Sequence, residues 1–423
     1  MKTLNRALTT LLLAGALWAP VGVSAQWVLV PMDRSQSNHL KAYGLTHWAL
    51  VQELSAEWLL NYRDGSFLLP DLAEVRRQAA LRGVTIVPVD AATEASIRAT
   101  IAESNMEAVP LERAPRVAVY TPPNSTPWDD AVTMALEYAE IEYETIWDGD
   151  VLTGDLTEYE WIHLHHEDFT GQYSKFYLTY SGAPWLQDEV ARNRAVAREH
   201  GYATVPDLKK AVAQRIREYV EGGGFLFAMC SATETLELAL AAGPSVDIAA
   251  SYADGTPPDP EASARMQWDR AMAFTDADVQ VNPSISSFSD IDGHQVNTAW
   301  REELGAFSLF DFSAKFDPVP SMLTQNHESI LPDFYGLTTS FRKDRLQPSV
   351  VVLAEEGPWA KYVHGNVGEG TFTYFGGHDP EDPEHQIGDP ATDLALHPNS
   401  PGYRLILNNV LFPAAKKQTL KTQ

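Results

Sequence analysis

The chain has a single cysteine, Cys230, among its 423 residues. One cysteine cannot form an internal disulfide, so the hydrophobic core must hold the fold without cross-links. Beyond residue 25, no apolar run approaches the roughly 20 residues that cross a bilayer as a helix. These two absences exclude a disulfide-stapled scaffold and predict that the protein has no membrane span.

Basic side chains are also scarce, with 31 Lys and Arg against 57 Asp and Glu, for a formal net charge of -26. A surface of this sign repels nucleic acids and anionic membranes, so we expect neither as a partner. Aromatic residues make up 10% of the chain, including 11 Trp. This content favours a well-packed globular protein over a disordered one.

The first 25 residues have the layout of an export signal. A short basic segment, MKTLNR, precedes the apolar run ALTTLLLAGALWAPVGV, and the small residues of Val23-Ser24-Ala25 follow. This order predicts a secretory signal peptide at 1–25, a mature chain that begins at Gln26, and a periplasmic or secreted location.

Strand-like and helix-like patterns alternate along the rest of the chain. We predict a small N-terminal α/β unit at 26–112, a larger α/β domain at 113–413 and a polar basic tail at 414–423. The alternation is typical of a doubly wound, mostly parallel sheet. The regular pattern fails near 251–330, which predicts a loop-rich insertion that could cover a site.

Polar residues gather where predicted strands end, which is where open α/β sheets bind their ligands. One cluster is WIHLHHEDFTGQ, which contains His163, His165, His166, Glu167 and Asp168; a second is Cys230 after FLFAM; a third is FGGHDPEDPEHQIGDP, which begins with His378. The three clusters together predict one site at the carboxyl edge of the sheet.

The chemistry that these clusters could share is thiol catalysis. Cys230 lies between a predicted strand and a predicted helix, where the helix dipole favours the thiolate. His378 is the candidate base, and Glu381 is the candidate carboxylate that orients it, with Asp379 as a competitor. The alternative is structural, because a lone Cys is usually a small buried apolar residue.

Four further residues are predicted to bind the substrate. Backbone N–H groups at Ser231 and near His166 or Glu167 could hold an oxyanion, and His165 points into the same region. The ligand class stays open among small molecules, peptides and glycans. A carbohydrate- or peptide-binding protein without catalytic activity is an alternative on the same residues.

The histidine-rich clusters could alternatively form a metal site. The side chains that could bind a metal are His165, His166, Glu167, His378, Asp379 and His385. A metallohydrolase needs three or four such ligands around an open position. Because no compact motif such as His-Glu-x-x-His occurs, we predict no metal or other cofactor and keep a metal-dependent hydrolase as an alternative.

The segment GGGFLFAMCSATET resembles the nucleophile elbow of class I glutamine amidotransferase-like and DJ-1/ThuA-like proteins. The resemblance implies their α/β fold and a Cys paired with a distant His-Pro-Glu. Here the second motif is His378-Asp-Pro-Glu381, one residue longer, and Ala228 and Ala232 stand where amidotransferases have glycine.

Longer phrases, among them LVPMDRSQSNHLKAYG, LHHEDFTGQ and HPNSPGYRLILNNVLFPAAKK, resemble a secreted family of Bacteroidota that is commonly labelled asparagine synthetase B. That label implies an N-terminal catalytic Cys and a Ser-Gly-Gly-x-Asp-Ser loop for ATP. The predicted mature chain begins with Gln26, and Gly224 is followed by Phe. We therefore expect an amide or ester hydrolase and not an ATP-dependent synthetase.

Overall fold

The computed structural model describes residues 26–123, 130–294, 305–383 and 390–415. The predicted signal peptide at 1–25, His385 and most of the predicted basic tail lie outside these residues. The described chain forms two sheets with helices between them and on their outer faces.

The first sheet is antiparallel and has five strands in the order β4-β1-β3-β2-β5. These strands are β1 Trp27–Val30, β2 Ala56–Leu60, β3 Ser66–Pro70, β4 Val87–Val89 and β5 Glu107–Leu111. Strands β2 and β3 pair antiparallel across the turn at Asp64-Gly65 and form a hairpin.

Three helices accompany the first sheet: α1 His39–Val51, α2 Ala73–Arg82 and α3 Ala91–Glu103. Asn38 caps α1 by accepting the Lys41 N–H, and Asp90 caps α3 by accepting the Thr93 N–H. Such side-chain caps satisfy backbone donors that a helix leaves unpaired at its start.

The second sheet contains ten strands within the described residues. Their bounds are β6 Val117–Tyr120, β7 Glu144–Ile146, β8 Trp161–Leu164, β9 Phe225–Met229, β10 Ala306–Leu309, β11 Ile330–Pro332, β12 Phe341–Arg342, β13 Val351–Glu356, β14 Trp359–Val367 and β15 Gly370–Phe375. The order is β11-β10-β13-β14-β15-β9-β8-β6-β7, and β12 pairs with β14.

Strands β15, β9, β8, β6 and β7 run parallel, and the remaining pairs are antiparallel. All five residues of β9 are buried. An uninterrupted apolar strand such as FLFAM is typical of a parallel sheet that is covered on both faces.

The helices of the larger domain are α4 Ala131–Ala139, α5 Asp148–Thr153, α6 Tyr177–Tyr180, α7 Pro184–Glu199, α8 Val205–Glu221, α9 Cys230–Ala242, α10 Ser251–Asp254, α11 Ala262–Arg265, α12 Pro318–Leu323 and α13 Pro401–Leu411. Helices α1, α4 and α13 share one core with the inner faces of both sheets. Helices α5, α7, α8 and α9 cover the other face of the larger sheet.

The predicted α/β class is confirmed, with a mixed central sheet and a small antiparallel N-terminal sheet. The segment predicted as a loop-rich insertion differs in its last part, because β10 and the whole of α12 lie within 251–330 and β10 joins the main sheet. None of the described helices is both long and apolar enough to cross a membrane.

Candidate functional site

Cys230 lies where β9 ends and α9 begins. Its backbone has a φ of 49°, in the left-handed region, and its N–H donates to the Gly377 carbonyl at 3.1 Å. A non-glycine residue held there costs about 1–3 kcal/mol, and such strain is concentrated at functional sites. The turn brings the thiol to the carboxyl edge of the sheet, beside the loop that follows β15.

The thiol is almost entirely covered, with Cys230 only 1% exposed. The Leu337 N–H donates to Sγ at 3.4 Å. Burial raises the pKa of Cys230 to about 11, although N–H groups of Leu337, Ser231 and Thr338 act in the opposite direction. Desolvation outweighs these donors, so the thiol is held protonated and the expected thiolate is not the resting form.

His378 follows β15 and the glycine pair Gly376-Gly377. Gly377 has a φ of 94°, and an added Cβ there would lie 2.6 Å from the Phe334 ring, so a larger residue would not fit. The His378 ring is buried, and its Nδ1 lies 3.1 Å from His165 Nε2. The structure thus joins two of the three predicted clusters through a direct histidine pair.

Behind this pair lies Asp130, which the sequence patterns did not single out. Its Oδ1 is 3.3 Å from His165 Nδ1 and 3.5 Å from His163 Nε2. The same oxygen accepts the Val132 N–H at 2.8 Å and the Thr133 N–H at 3.2 Å, so Asp130 also caps α4. The four groups fix a buried carboxylate directly behind the histidines.

The pKa values of this group follow from burial and charge. Burial acts to raise the pKa of Asp130, but the facing His165 and His163 outweigh it and hold that pKa well below its usual range. Burial lowers the pKa of His165 more than Asp130 raises it. These directions favour an ionised Asp130 beside a His165 ring in its neutral form.

These charges determine the ring tautomers. Because the Asp130 carboxylate only accepts, the single proton of neutral His165 is on Nδ1, and its Nε2 is an acceptor. The hydrogen of the 3.1 Å contact then belongs to His378 Nδ1. With Nδ1 as its donor, His378 in its neutral form carries the lone pair on Nε2, which is the arrangement that a general base requires.

The predicted substrate-binding residues surround this pair. Glu167 accepts the His165 N–H through Oε2 at 2.9 Å, and Ser231 Oγ donates to the His166 carbonyl at 2.9 Å. The His166 ring lies 5.9 Å from the His378 ring, centroid to centroid. Ser231 thus joins the loop after β8 to α9, and Glu167 closes a turn within that loop, while their predicted role in binding a substrate stays a prediction.

Glu381 has a different neighbour from the one expected. Its Oε2 lies 2.9 Å from His397 Nδ1. Asp379 accepts hydrogen bonds from Tyr403 Oη at 2.8 Å and from Thr392 Oγ1 at 2.7 Å. The carboxylate that the described contacts connect to His378 is Asp130, through His165; the orienting role of Glu381 stays a prediction.

Three of these histidines could also hold a metal ion. Ring nitrogens of His165, His166 and His378 all lie within 4.8 Å of one another, and so do ligand atoms of Asp130, His163 and His165. Metal-binding histidines commonly donate their second N–H to a carboxylate, as His165 does to Asp130.

No family model matches the chain, and no curated protein matches it. Among solved structures, a cytoplasmic protein of Salmonella typhimurium is 10% identical, with a TM-score of 0.34 over 72% of this chain and 100% of its own. A glutamine amidotransferase of Thermotoga maritima is 9% identical, with a TM-score of 0.26 over 62% of this chain and 75% of its own.

A β-galactosidase of Bacillus circulans is 12% identical, with a TM-score of 0.27 over 62% of this chain and 28% of its own. At these TM-scores the likeness carries no argument about activity or ligand. The α/β class rests on the strands and helices themselves, and the function must be argued from the site.

Proposed function

We propose that the protein is a thiol-dependent hydrolase of amides or esters, with Cys230 as nucleophile and His378 as general base. The observation that carries this proposal is the strained turn at Cys230, whose N–H bonds the residue immediately before His378. A strained backbone at a strand end aims a side chain at a ligand, and here it aims the only thiol of the chain.

The resting thiol needs a base, because burial raises its pKa to about 11 and keeps it protonated at neutral pH. Neutral His378 can accept that proton on Nε2 while its Nδ1–H remains bonded to His165. The charge that then forms on His378 is stabilised, through His165, by the Asp130 carboxylate. His165 and Asp130 are thus positioning residues, and Cys230 and His378 are the catalytic pair.

The reaction is a two-step acyl transfer. Sγ attacks the carbonyl carbon as its proton passes to His378, and the tetrahedral intermediate collapses to a thioester while His378 protonates the departing amine or alcohol. Water then attacks the thioester, His378 takes its proton, and the acid leaves with the thiol restored. No oxidant, nucleotide or metal enters this balance.

Hydrolysis also fits the resemblance to the family labelled asparagine synthetase B better than synthesis does. The chain has no Ser-Gly-Gly-x-Asp-Ser segment to bind ATP. We further propose that the protein acts in the periplasm or outside the cell, as the predicted signal peptide implies. Hydrolysis requires only water there, whereas a synthetase would need ATP.

The test is hydrolysis of a panel of p-nitrophenyl esters and p-nitroanilides by the wild type, Cys230→Ala and His378→Asn. We expect turnover by the wild type and a loss of roughly 10²-fold or more in both variants. A wild type with no turnover across the panel and no acylation, but with saturable binding of a peptide or glycan, would support the binding-protein alternative instead.

A metal-dependent hydrolase is the second candidate, favoured by the three ring nitrogens of His165, His166 and His378. Such a centre would hold the ion on these rings, with Asp130 fixing the His165 tautomer, and would supply an activated water. Elemental analysis after loading with zinc separates the two. One equivalent of metal, lost in His166→Ala, together with unchanged activity in Cys230→Ala, would replace the thiol mechanism with this one.

A further inference from the structure

Residues 334–340 form a segment without helix or strand between β11 and β12, which we name the cover segment. It lies directly over the catalytic pair. Its Leu337 N–H reaches Cys230 Sγ at 3.4 Å, and its Tyr335 carbonyl accepts the His378 N–H at 2.7 Å. A substrate carbonyl cannot reach a thiol that is 1% exposed while this segment stays in place.

The cover segment packs closely on the loop that carries His378. The Gly377 N–H donates to the Thr338 carbonyl at 2.8 Å. A Cβ added to Gly336 would lie 2.9 Å from Gly377 Cα and 3.0 Å from the His378 nitrogen. Backbone therefore rests against backbone at Gly336, whereas the buried Phe334 ring packs on Gly377 at the start of the segment.

Side chains hold the segment near its two ends and at its middle. Lys361 Nζ donates to the Phe334 carbonyl at 2.7 Å and to the Thr339 carbonyl at 2.9 Å, which fixes both ends. The middle is fixed by Thr338 Oγ1, which donates to Glu234 Oε2 at 2.9 Å. Glu234 is in α9, one turn after Cys230, so the middle of the segment is attached to the helix that carries the thiol.

We propose that the cover segment is a lid that must lift from Cys230 to admit a substrate, and that the Thr338–Glu234 hydrogen bond is its latch. The anchors at Phe334 and Thr339 remain in place as the middle lifts, because Lys361 binds only the two ends. When the lid closes on a bound acyl group, the Leu337 and Thr338 N–H groups of the lid face the reacting sulfur together with the Ser231 N–H of α9. The lid thus both admits the substrate and supplies oxyanion donors, a role that deepens the proposed hydrolase function and rests on it.

The surroundings of Glu234 make the Thr338–Glu234 hydrogen bond unfavourable to break. The carboxyl group is fully buried and also accepts a hydrogen bond from Ser289 Oγ at 2.5 Å. The charged groups that face it are Asp292, which is buried, and Lys175. A buried carboxyl that loses one of its two hydroxyl partners has no solvent to replace it, so opening is unfavourable and transient.

Alkylation of Cys230 by iodoacetamide measures opening without any substrate. When opening is fast and reversible, the labelling rate is proportional to the open fraction. We compare Thr338→Val, which removes the latch hydroxyl, with Thr339→Val, whose hydroxyl bonds only Gly336 within the segment. At high pH the thiol is ionised in every variant, so the limiting labelling rate there reports only access to the thiol.

We expect Thr338→Val to be labelled roughly tenfold faster than the wild type and Thr339→Val to stay within about threefold. Glu234→Leu and Glu237→Leu repeat the comparison from α9, because Glu237 is equally buried but bonds Tyr374 and the Met272 and Ala273 N–H groups instead. Equal labelling of the two threonine variants, or a native wild type labelled as fast as the unfolded chain, would overturn the lid.

The labelling and hydrolysis experiments test the lid and the proposed hydrolase function independently. A protein that shows the Thr338-specific labelling but hydrolyses nothing would keep the lid and lose the proposed function. A protein that hydrolyses esters through Cys230, with labelling insensitive to Thr338, would keep the function and lose the lid.

Discussion

His165 Nε2 and His378 Nδ1 lie 3.1 Å apart, and the Asp130 carboxylate fixes which of the two rings donates. Because His165 donates its Nδ1–H to the Asp130 carboxylate, the hydrogen between the two rings belongs to His378. The carboxylate thus acts on His378 across one intervening imidazole. This arrangement is the physical basis of the proposed hydrolase and leads to the first two predictions.

His378→Asn should lower p-nitrophenyl ester hydrolysis by roughly 10²- to 10⁴-fold, because asparagine cannot accept the thiol proton. The matched control is His397→Asn, since His397 pairs with Glu381 and is partly exposed. We expect the control to stay within about threefold of the wild type. Comparable losses of activity in both variants would show that a disturbed loop, and not the loss of a base, lowers the rate.

Asp130→Asn should lower kcat by roughly 10²-fold while leaving the free energy of unfolding nearly unchanged. Asparagine caps a helix as well as aspartate does, so α4 keeps its N-cap. An amide, however, no longer requires His165 to protonate Nδ1, and the His378 tautomer is lost. The acid limb of the kcat–pH profile should also move, which a merely structural role would not cause.

The control for that variant is Asp90→Asn, which changes the N-cap of α3 in the same way far from the site. Activity and stability of Asp90→Asn should both stay close to the wild type. If Asp130→Asn unfolds at markedly lower denaturant than Asp90→Asn, its loss of activity reports stability and the positioning role is wrong.

Glu381→Gln should change kcat by less than about threefold, because its carboxylate faces His397 and not the histidine pair. This outcome distinguishes the geometry of the site from the motif-based expectation, in which Glu381 orients His378. A loss comparable with that of Asp130→Asn would restore Glu381 as the orienting carboxylate.

Glu234→Gln should become more stable relative to the wild type as pH rises. Burial raises the pKa of Glu234 to about 8 from an ordinary 4.5, and Asp292 adds to the rise. Between these two values the unfolded chain releases the proton while the native state keeps it. Wild-type stability therefore falls as pH increases through this window, and glutamine removes that dependence.

Chemical denaturation at pH 5 and at pH 8 measures this effect. The difference in unfolding free energy between Glu234→Gln and the wild type should move by about 3 to 4 kcal/mol in favour of the variant. Glu103→Gln, at an exposed position in α3, serves as the control and should show no such movement. A constant difference for Glu234→Gln would mean that this carboxyl ionises normally in the native protein.

The sequence was enough to predict the α/β class and to gather Cys230, His165, His166 and His378 at strand ends, because parallel strands bring their carboxyl ends to one edge. Asp130 was not predictable in this way. In the sequence it is an ordinary helix cap, and only the pairing of β6 with β8 places it behind His165. The pattern that could have predicted this role of Asp130 is a carboxylate at a helix N-cap next to a strand that ends in histidines.

Two other features had no sequence signal. The cover segment acts through backbone N–H and carbonyl groups, which every residue has, so its pattern reads as a loop. The raised pKa of Cys230 depends on the burial of the thiol in the folded chain. Helix-dipole reasoning from the sequence includes the favourable term and omits this desolvation, which is the larger of the two.

The most direct test of the central claim is to trap the acyl-enzyme. The wild type is mixed with p-nitrophenyl acetate, quenched in acid after one burst of nitrophenolate, and analysed by intact mass and peptide mapping. We predict one acetyl group on the peptide that contains Cys230, and neither burst nor acetyl group in Cys230→Ala. Turnover without acetylation of Cys230, or turnover at the wild-type rate by Cys230→Ala, would contradict the thiol mechanism.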